Sequence, residues 1–170
     1  MKKLLIWVIF LFFILPSHGK NKMNSSSTNI VCFPTIQQDT IIGNYFISYL
    51  IKDNDNIISR QGITSEGDTI LLKCPDRSVI LNLKRKDNGD TILSNKEINK
   101  YIFESLIPKE DDINQYQLWF FEIKNVDVDK VTFDLNICIP DTDICYFFNL
   151  CVSDDGNITI TEIELNEEEE

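Results

Sequence analysis

Histidine is the scarcest informative residue in this chain. It occurs once, as His18, and alanine does not occur at all. His18 sits in "MKKLLIWVIFLFFILPSHGK", where two lysines lead an unbroken apolar run, Leu4 to Leu15, followed by Pro16 and the small residues Ser17 and Gly19. That is the layout of a secretory signal cut after Gly19, and the run is short for a membrane span. The exported chain then carries no imidazole. Hydrolases that activate Ser or Cys with a His base, and zinc sites that use His, are excluded in their usual forms.

Positive charge is also in short supply. Loss of Lys2 and Lys3 with the signal leaves 14 basic residues against 27 acidic ones, a net charge of −13. Such a body repels phosphate backbones and anionic lipid surfaces, so nucleic acid is not expected as a partner. No later apolar run is long enough to cross a bilayer, and the exported chain is not expected to span one.

The remainder divides simply. Residues 1–19 are the signal, and residues 20–35, opening "KNKMNSSSTN", read as a flexible tether. Residues 36–166 form one domain, large enough to bury a real core. Residues 167–170 are all Glu, an acidic tail expected to be disordered. Missing alanine and abundant isoleucine favour strands. "TIIGNYFISYLIK" reads as one long strand and "DNDN" as a turn into a weaker one. "DTILLKC" and "SVILNLKRK" follow, joined at Pro75-Asp76-Arg77. Ser94 and Glu97 have the spacing of a capping box, and Ile98, Ile102 and Leu106 recur at helical period. A helix is predicted there, ended by Pro108. Four strands complete the chain, the last two joined at Asp155-Gly156. The expected fold class is α+β: about eight mostly antiparallel strands with one central helix packed on the sheet.

Three of the five cysteines lie in "NICIPDTDICYFFNLCV". Folding this stretch about Pro140 to Asp143 places Val131, Phe133, Leu135 and Ile137 on one face with Tyr146, Phe148, Leu150 and Val152. A one-residue slip would scatter that face. Pro140 has no N–H to complete a narrow pair, so a four-residue loop closed by Ile139 and Ile144 is expected. Cys138 then faces Cys145 at a non-hydrogen-bonded position, close enough for a disulfide. Cys151, six residues beyond Cys145, is about 20 Å away along an extended strand. A shared metal site is therefore not expected, and a redox role lacks its Cys-x-x-Cys motif. No cofactor is implied.

The acidic clusters, such as Asp53/Asp55 and Asp141/Asp143, fit no calcium loop. "QYQLWFFEI" alternates so that Trp119 and Phe121 share a face. They are either part of a two-sided core or, with Phe147, line a groove for an apolar or sugar ligand.

"VILNLKRKDNGDTILSNKEINKYIF" and "VTFDLNICIPDTDICYFFNLCVSDDGNITI" resemble an uncharacterised family of exported Bacteroidetes proteins, a domain of unknown function often carried by predicted lipoproteins. The likeness runs from about Asp39 to Ile160. It implies no activity. Lys20 stands where a lipoprotein would have its Cys, which argues against a lipid anchor and for a periplasmic or secreted form. The resemblance also makes Thr40, Thr69 and Thr91, each in an Asp-Thr-Ile sequence, candidate O-glycan acceptors; the same sequence can simply mark turn-to-strand transitions. The function expected is a non-catalytic module that binds a protein or glycan at the cell envelope. Its alternatives are a small carboxylate- or thiol-dependent enzyme and a structural piece of an envelope assembly.

Overall fold

An isoleucine-rich chain without alanine favours extended backbone throughout, and the protein is built from strands. The structure is a computed structural model that describes residues 28–30, 33–63 and 65–163. The signal, most of the tether, Cys32 and the acidic tail lie outside the described residues.

The strands are β1 (Thr28–Ile30), β2 (Ile36–Ile42), β3 (Tyr45–Ile63), β4 (Thr69–Arg85), β5 (Thr91–Ile98), β6 (Gln117–Val126), β7 (Lys130–Cys138), β8 (Cys145–Ser153) and β9 (Ile158–Glu162). Strands β2, β3, β4 and β5 form an antiparallel sheet, and β1 adds to β4 in parallel. Strands β6 to β9 form a second antiparallel sheet in sequence order. β1 lies within the stretch expected to be a tether.

The expected α+β class is overturned: the described residues form an all-β sandwich with only short 3₁₀ turns between β5 and β6. Ser94 and Glu97 do not cap a helix. They lie exposed on β5, which pairs with β4 through Val79↔Ile98 and Leu81↔Lys96. The residue that caps is Asn99, whose side chain accepts the Tyr101 N–H at 3.1 Å and opens the turn Lys100–Phe103. Ile98, Phe103 and Ile107 are buried, whereas Tyr101 and Ile102 are exposed, so the helical stripe is not the buried set. Asn95 and Asn99 weaken any helix here, and β4 supplies a free edge that satisfies the backbone.

Two other departures are local. Gly43, at φ +57°, starts a two-residue turn between Ile42 and Tyr45, splitting the expected long strand into β2 and β3. Conversely, β3 and β4 run straight through the expected turns at Asp53 and Pro75. Between the pairs Asp53↔Arg77 and Ile57↔Pro75, three residues of β3 lie across from Asp76 alone. The ribbon bulges instead of ending.

At that bulge lies the molecule's concentration of buried polarity: Asp76, Arg77, Ser78, Lys100 and Gln117. Lys100 Nζ is 3.2 Å from Asp76 Oδ2, with both side chains at most 2% exposed. It also donates to the carbonyls of Tyr116 (2.9 Å) and Asn114 (3.3 Å). Gln117 Nε2 donates to the Pro75 carbonyl at 2.5 Å. Arg77 donates to the Pro34 carbonyl at 3.1 Å and lies over the Phe33 ring. The crossover from β5 to β6 and the entry to β2 are thus both fastened to the ribbon.

The inner faces meet in one core. Tyr45, Ile47, Tyr49 and Ile51 of β3 share it with Val131, Phe133, Leu135 and Ile137 of β7. Tyr49 meets Phe121 edge-on at 5.1 Å, and Phe103 stacks on Phe148 at 4.7 Å. Asp154 ties the sheets together, pairing with Arg85 and accepting from the Tyr45 hydroxyl at 2.6 Å.

Removing one member of the buried ion pair strands the other. Asp76→Ala or Lys100→Met should therefore cost about 3–5 kcal/mol, read as a lower urea midpoint. An apolar double replacement, Asp76→Leu with Lys100→Met, should recover most of the loss. Single variants within about 1 kcal/mol of wild type would show that the pair carries no such role.

Candidate binding surface on the second sheet

The second sheet is organised by the β7–β8 hairpin. Its pairs run from Lys130↔Ser153 through Leu135↔Phe148 to Cys138↔Cys145, the register that the apolar alternation implies. The loop is closed by Ile139 N–H donating to the Ile144 carbonyl at 3.0 Å, with Pro140 placed where no N–H is needed. Thr142 Oγ1 donates to the Ile139 carbonyl at 2.8 Å, and Asp141 takes φ +61°, a conformation Asp tolerates. Cys138 and Cys145 form a disulfide across this end, their Cα atoms 4.1 Å apart. Cys151 is a half-buried thiol on the same outer face, opposite Thr132 and six pairs along β7 from the bridge. Among the described residues no three His, Cys, Asp or Glu side chains are grouped to hold a metal.

β6 departs from simple alternation, and the departure makes the surface. A bulge between Leu118 and Phe120 turns both Trp119 and Phe120 outward, 41% and 39% exposed, while Phe121 points into the core. Of the three residues offered as groove-lining in the alternative to a two-sided core, Trp119 and Phe147 share the outer face. Phe121 does not, since it packs against Tyr49 and Phe133. Phe120 is the member that period-two reading missed. The "WFF" run was the available signal, but nothing in it says where a bulge falls.

In register, Phe120 lies beside Asn136 on β7, and Asn136 beside Phe147 on β8. Trp119 is braced edge-on by Phe33 at 4.6 Å. Two adjoining depressions, about 470 and 380 Å³, share Trp119 and Asn136. The first is walled by the disulfide and by Asp141, Thr142 and Asp143; the second holds Phe120, Phe147 and Asp134. Asn136 Oδ1 is buried at this junction with no hydrogen-bond partner. A buried acceptor left open is uncommon and calls for a donor.

A larger trough, about 1130 Å³, crosses the outer face of the first sheet between Asp39, Phe46, Asn82 and Lys84. Two of its acceptors already have donors. Asp39 accepts from Gln37 at 3.0 Å, and Asn82 Oδ1 accepts the Asn95 N–H at 2.7 Å. The smaller surface on the second sheet makes the stronger demand for a ligand. Of the candidate acceptor threonines, Thr69 and Thr91 are exposed at the starts of β4 and β5, and Thr40 is half-buried in β2.

A family model for a domain of unknown function, DUF4738, matches residues 72–160, more than half of the chain. The chain belongs to this family. No curated protein matches it. The DUF4738 segment runs from within β4 into β9, so it contains the whole aromatic surface, the disulfide and the Asp76–Lys100 pair. It begins later than the resemblance expected from Asp39.

At the core's margin, Asp111 Oδ2 accepts from the hydroxyls of both Tyr116 and Tyr146. Burial, then the bond to Asp111, pushes the Tyr116 phenol far above its ordinary range. The bond to Asp111, then burial, raises Tyr146. Burial also raises Tyr45 and Tyr49. A phenol whose pKa rises on folding adds stability below the unfolded value of about 10, and that stability is lost as pH climbs through the raised values. The urea midpoint should therefore fall above about pH 10, and more shallowly in Tyr116→Phe/Tyr146→Phe. A midpoint level to pH 11 would contradict these shifts.

Proposed function

We propose that this protein is an exported, non-catalytic recognition module of the cell envelope, with a protein or glycan ligand seated on the outer face of the second sheet. One observation carries the reading: an aromatic ridge, exposed at Trp119 and Phe120 and half-buried at Phe147, borders a buried amide oxygen with nothing to accept from. Aromatic surface that would cost free energy in water, beside an acceptor that lacks a donor, is the anatomy of a binding site.

The signal segment and the absence of histidine after it support export without His-based catalysis. A disulfide suits an oxidising compartment. Among the described residues no helix is long and apolar enough to cross a membrane. The resemblance favours a Bacteroidetes source, and Lys20 in place of a lipid-bearing Cys favours an unanchored form. Their exposure supports Thr69 and Thr91 as O-glycan acceptors, more than half-buried Thr40. Native protein should then be heavier than the bare polypeptide by whole sugar units, and an intact mass equal to the polypeptide would remove this part.

Trp119 reports on the surface directly. The chain has two tryptophans, and the other, Trp7, leaves with the signal. Binding at the ridge should shift Trp119 emission to the blue and protect it from acrylamide. Protein purified from the exporting cell, titrated with envelope polysaccharide and with envelope protein, tests this. Emission unmoved by any fraction that the protein retains would place the ligand elsewhere.

A further inference from the structure

Resting on that reading, we infer that the ligand is an uncharged glycan of two or more sugar units, held with one unit in each of the two depressions that meet at Trp119 and Asn136.

The chemistry of the lining selects the class. Its principal polar groups are acceptors: the unpartnered Asn136 Oδ1, and the carboxylates of Asp134, Asp141 and Asp143. The occupant must therefore be rich in donors, as a sugar is with its hydroxyls. It should also offer apolar C–H faces to Trp119 and Phe147, which a pyranose ring does.

Charge decides between a neutral ligand and an ionic one. Among the described residues, an anion would meet those carboxylates with no cation beside them that is not already engaged. Lys124 is already engaged, 3.0 Å from Asp134 and 2.9 Å from Asn149 Oδ1. A cation is also poorly served. Lys124 balances Asp134, and Arg60 donates to the carbonyls of Pro140 (2.5 Å) and Asp141 (3.3 Å), bringing positive charge to the loop that carries Asp141 and Asp143. What remains at the centre is a neutral amide acceptor between aromatic rings. The depressions, about 470 and 380 Å³, are each of the size that small ligands fill, and they share Trp119 and Asn136 as walls. The disulfide and the Thr142 bond hold the loop in place before binding, which lowers the ordering cost.

The exported chain is titrated calorimetrically, and by Trp119 emission, with neutral oligosaccharides of graded length (gluco-, manno- and galacto-oligosaccharides), a uronate oligosaccharide and oligo-lysine, at low and high salt. The expected result is binding of at least one neutral series, stronger for the disaccharide than the monosaccharide and insensitive to salt. Trp119→Ala and Asn136→Leu should each weaken it by about tenfold or more, while Trp119→Phe, which keeps a ring, recovers part of the loss. Circular dichroism of each variant separates lost contact from lost fold. Salt-sensitive binding of oligo-lysine or the uronate alone, still abolished by Trp119→Ala, overturns the glycan and leaves the surface standing. Neutral glycan binding that survives Trp119→Ala and Asn136→Leu overturns the surface. No binding from any series, with Trp119 still quenched by an envelope protein, also overturns the glycan.

Discussion

The buried pair of Asp76 and Lys100 is the constraint on which the architecture turns. A carboxylate and an ammonium, both out of water, can be tolerated only opposite each other, because either alone bears the full cost of desolvation. Lys100 leads the 3₁₀ turn after β5, and its ammonium also reaches the Asn114 and Tyr116 carbonyls at the entrance to β6. Setting Asp76 therefore sets where the chain leaves the first sheet and where it enters the second. Buried ion pairs add little net stability. Here the consequence is positional: a shifted register in the β3–β4 ribbon would bury an unpaired charge.

That placement propagates to the surface. Gln117, at the start of β6, is fixed by its bond to the Pro75 carbonyl one residue from Asp76. With Leu118 buried next to it, the bulge that follows turns Trp119 and Phe120 outward together. On the other flank, Arg77 holds Pro34 and lies over Phe33, and Phe33 braces Trp119. The indole is thus positioned from two directions by neighbours of one buried carboxylate. A binding surface gains from such bracing, since side chains already ordered lose less on complex formation.

The hairpin was legible in the sequence, and the bulges were not. Ten apolar positions on β7 and β8 and the flanking residues admit one register only, and Pro140 dictated the loop that brings Cys138 to Cys145. The segment from Ser94 to Leu106 misled for a physical reason. Its spacing satisfies a helical period, but the exposed edge of β4 competes for the same backbone and wins in a chain without alanine. Asp53 to Asn56 and Pro75 to Arg77 each look like turns alone. They become a paired bulge only because Asp76 has a buried partner distant in sequence. Period-two reading likewise put Phe121 on one face with Trp119 and Phe120 on the other, since one inserted residue reverses every assignment beyond it. Trp119 and Phe147 share the outer face because they sit where alternation still held.

The two outer faces show how little cavity size says about a ligand. The trough on the first sheet is the roomier, yet Gln37 satisfies Asp39, and Asn95 satisfies Asn82. The second sheet has less space and an acceptor that the fold leaves empty. Leaving a buried amide oxygen without a donor costs on the order of 1–3 kcal/mol, and the cross-strand row could have placed an apolar residue there between Phe120 and Phe147. An unmet acceptor between two rings is a cost to the free protein that a hydroxyl-bearing ligand would cancel. On the recognition role proposed above, unlike core packing alone, that position has a reason to be asparagine.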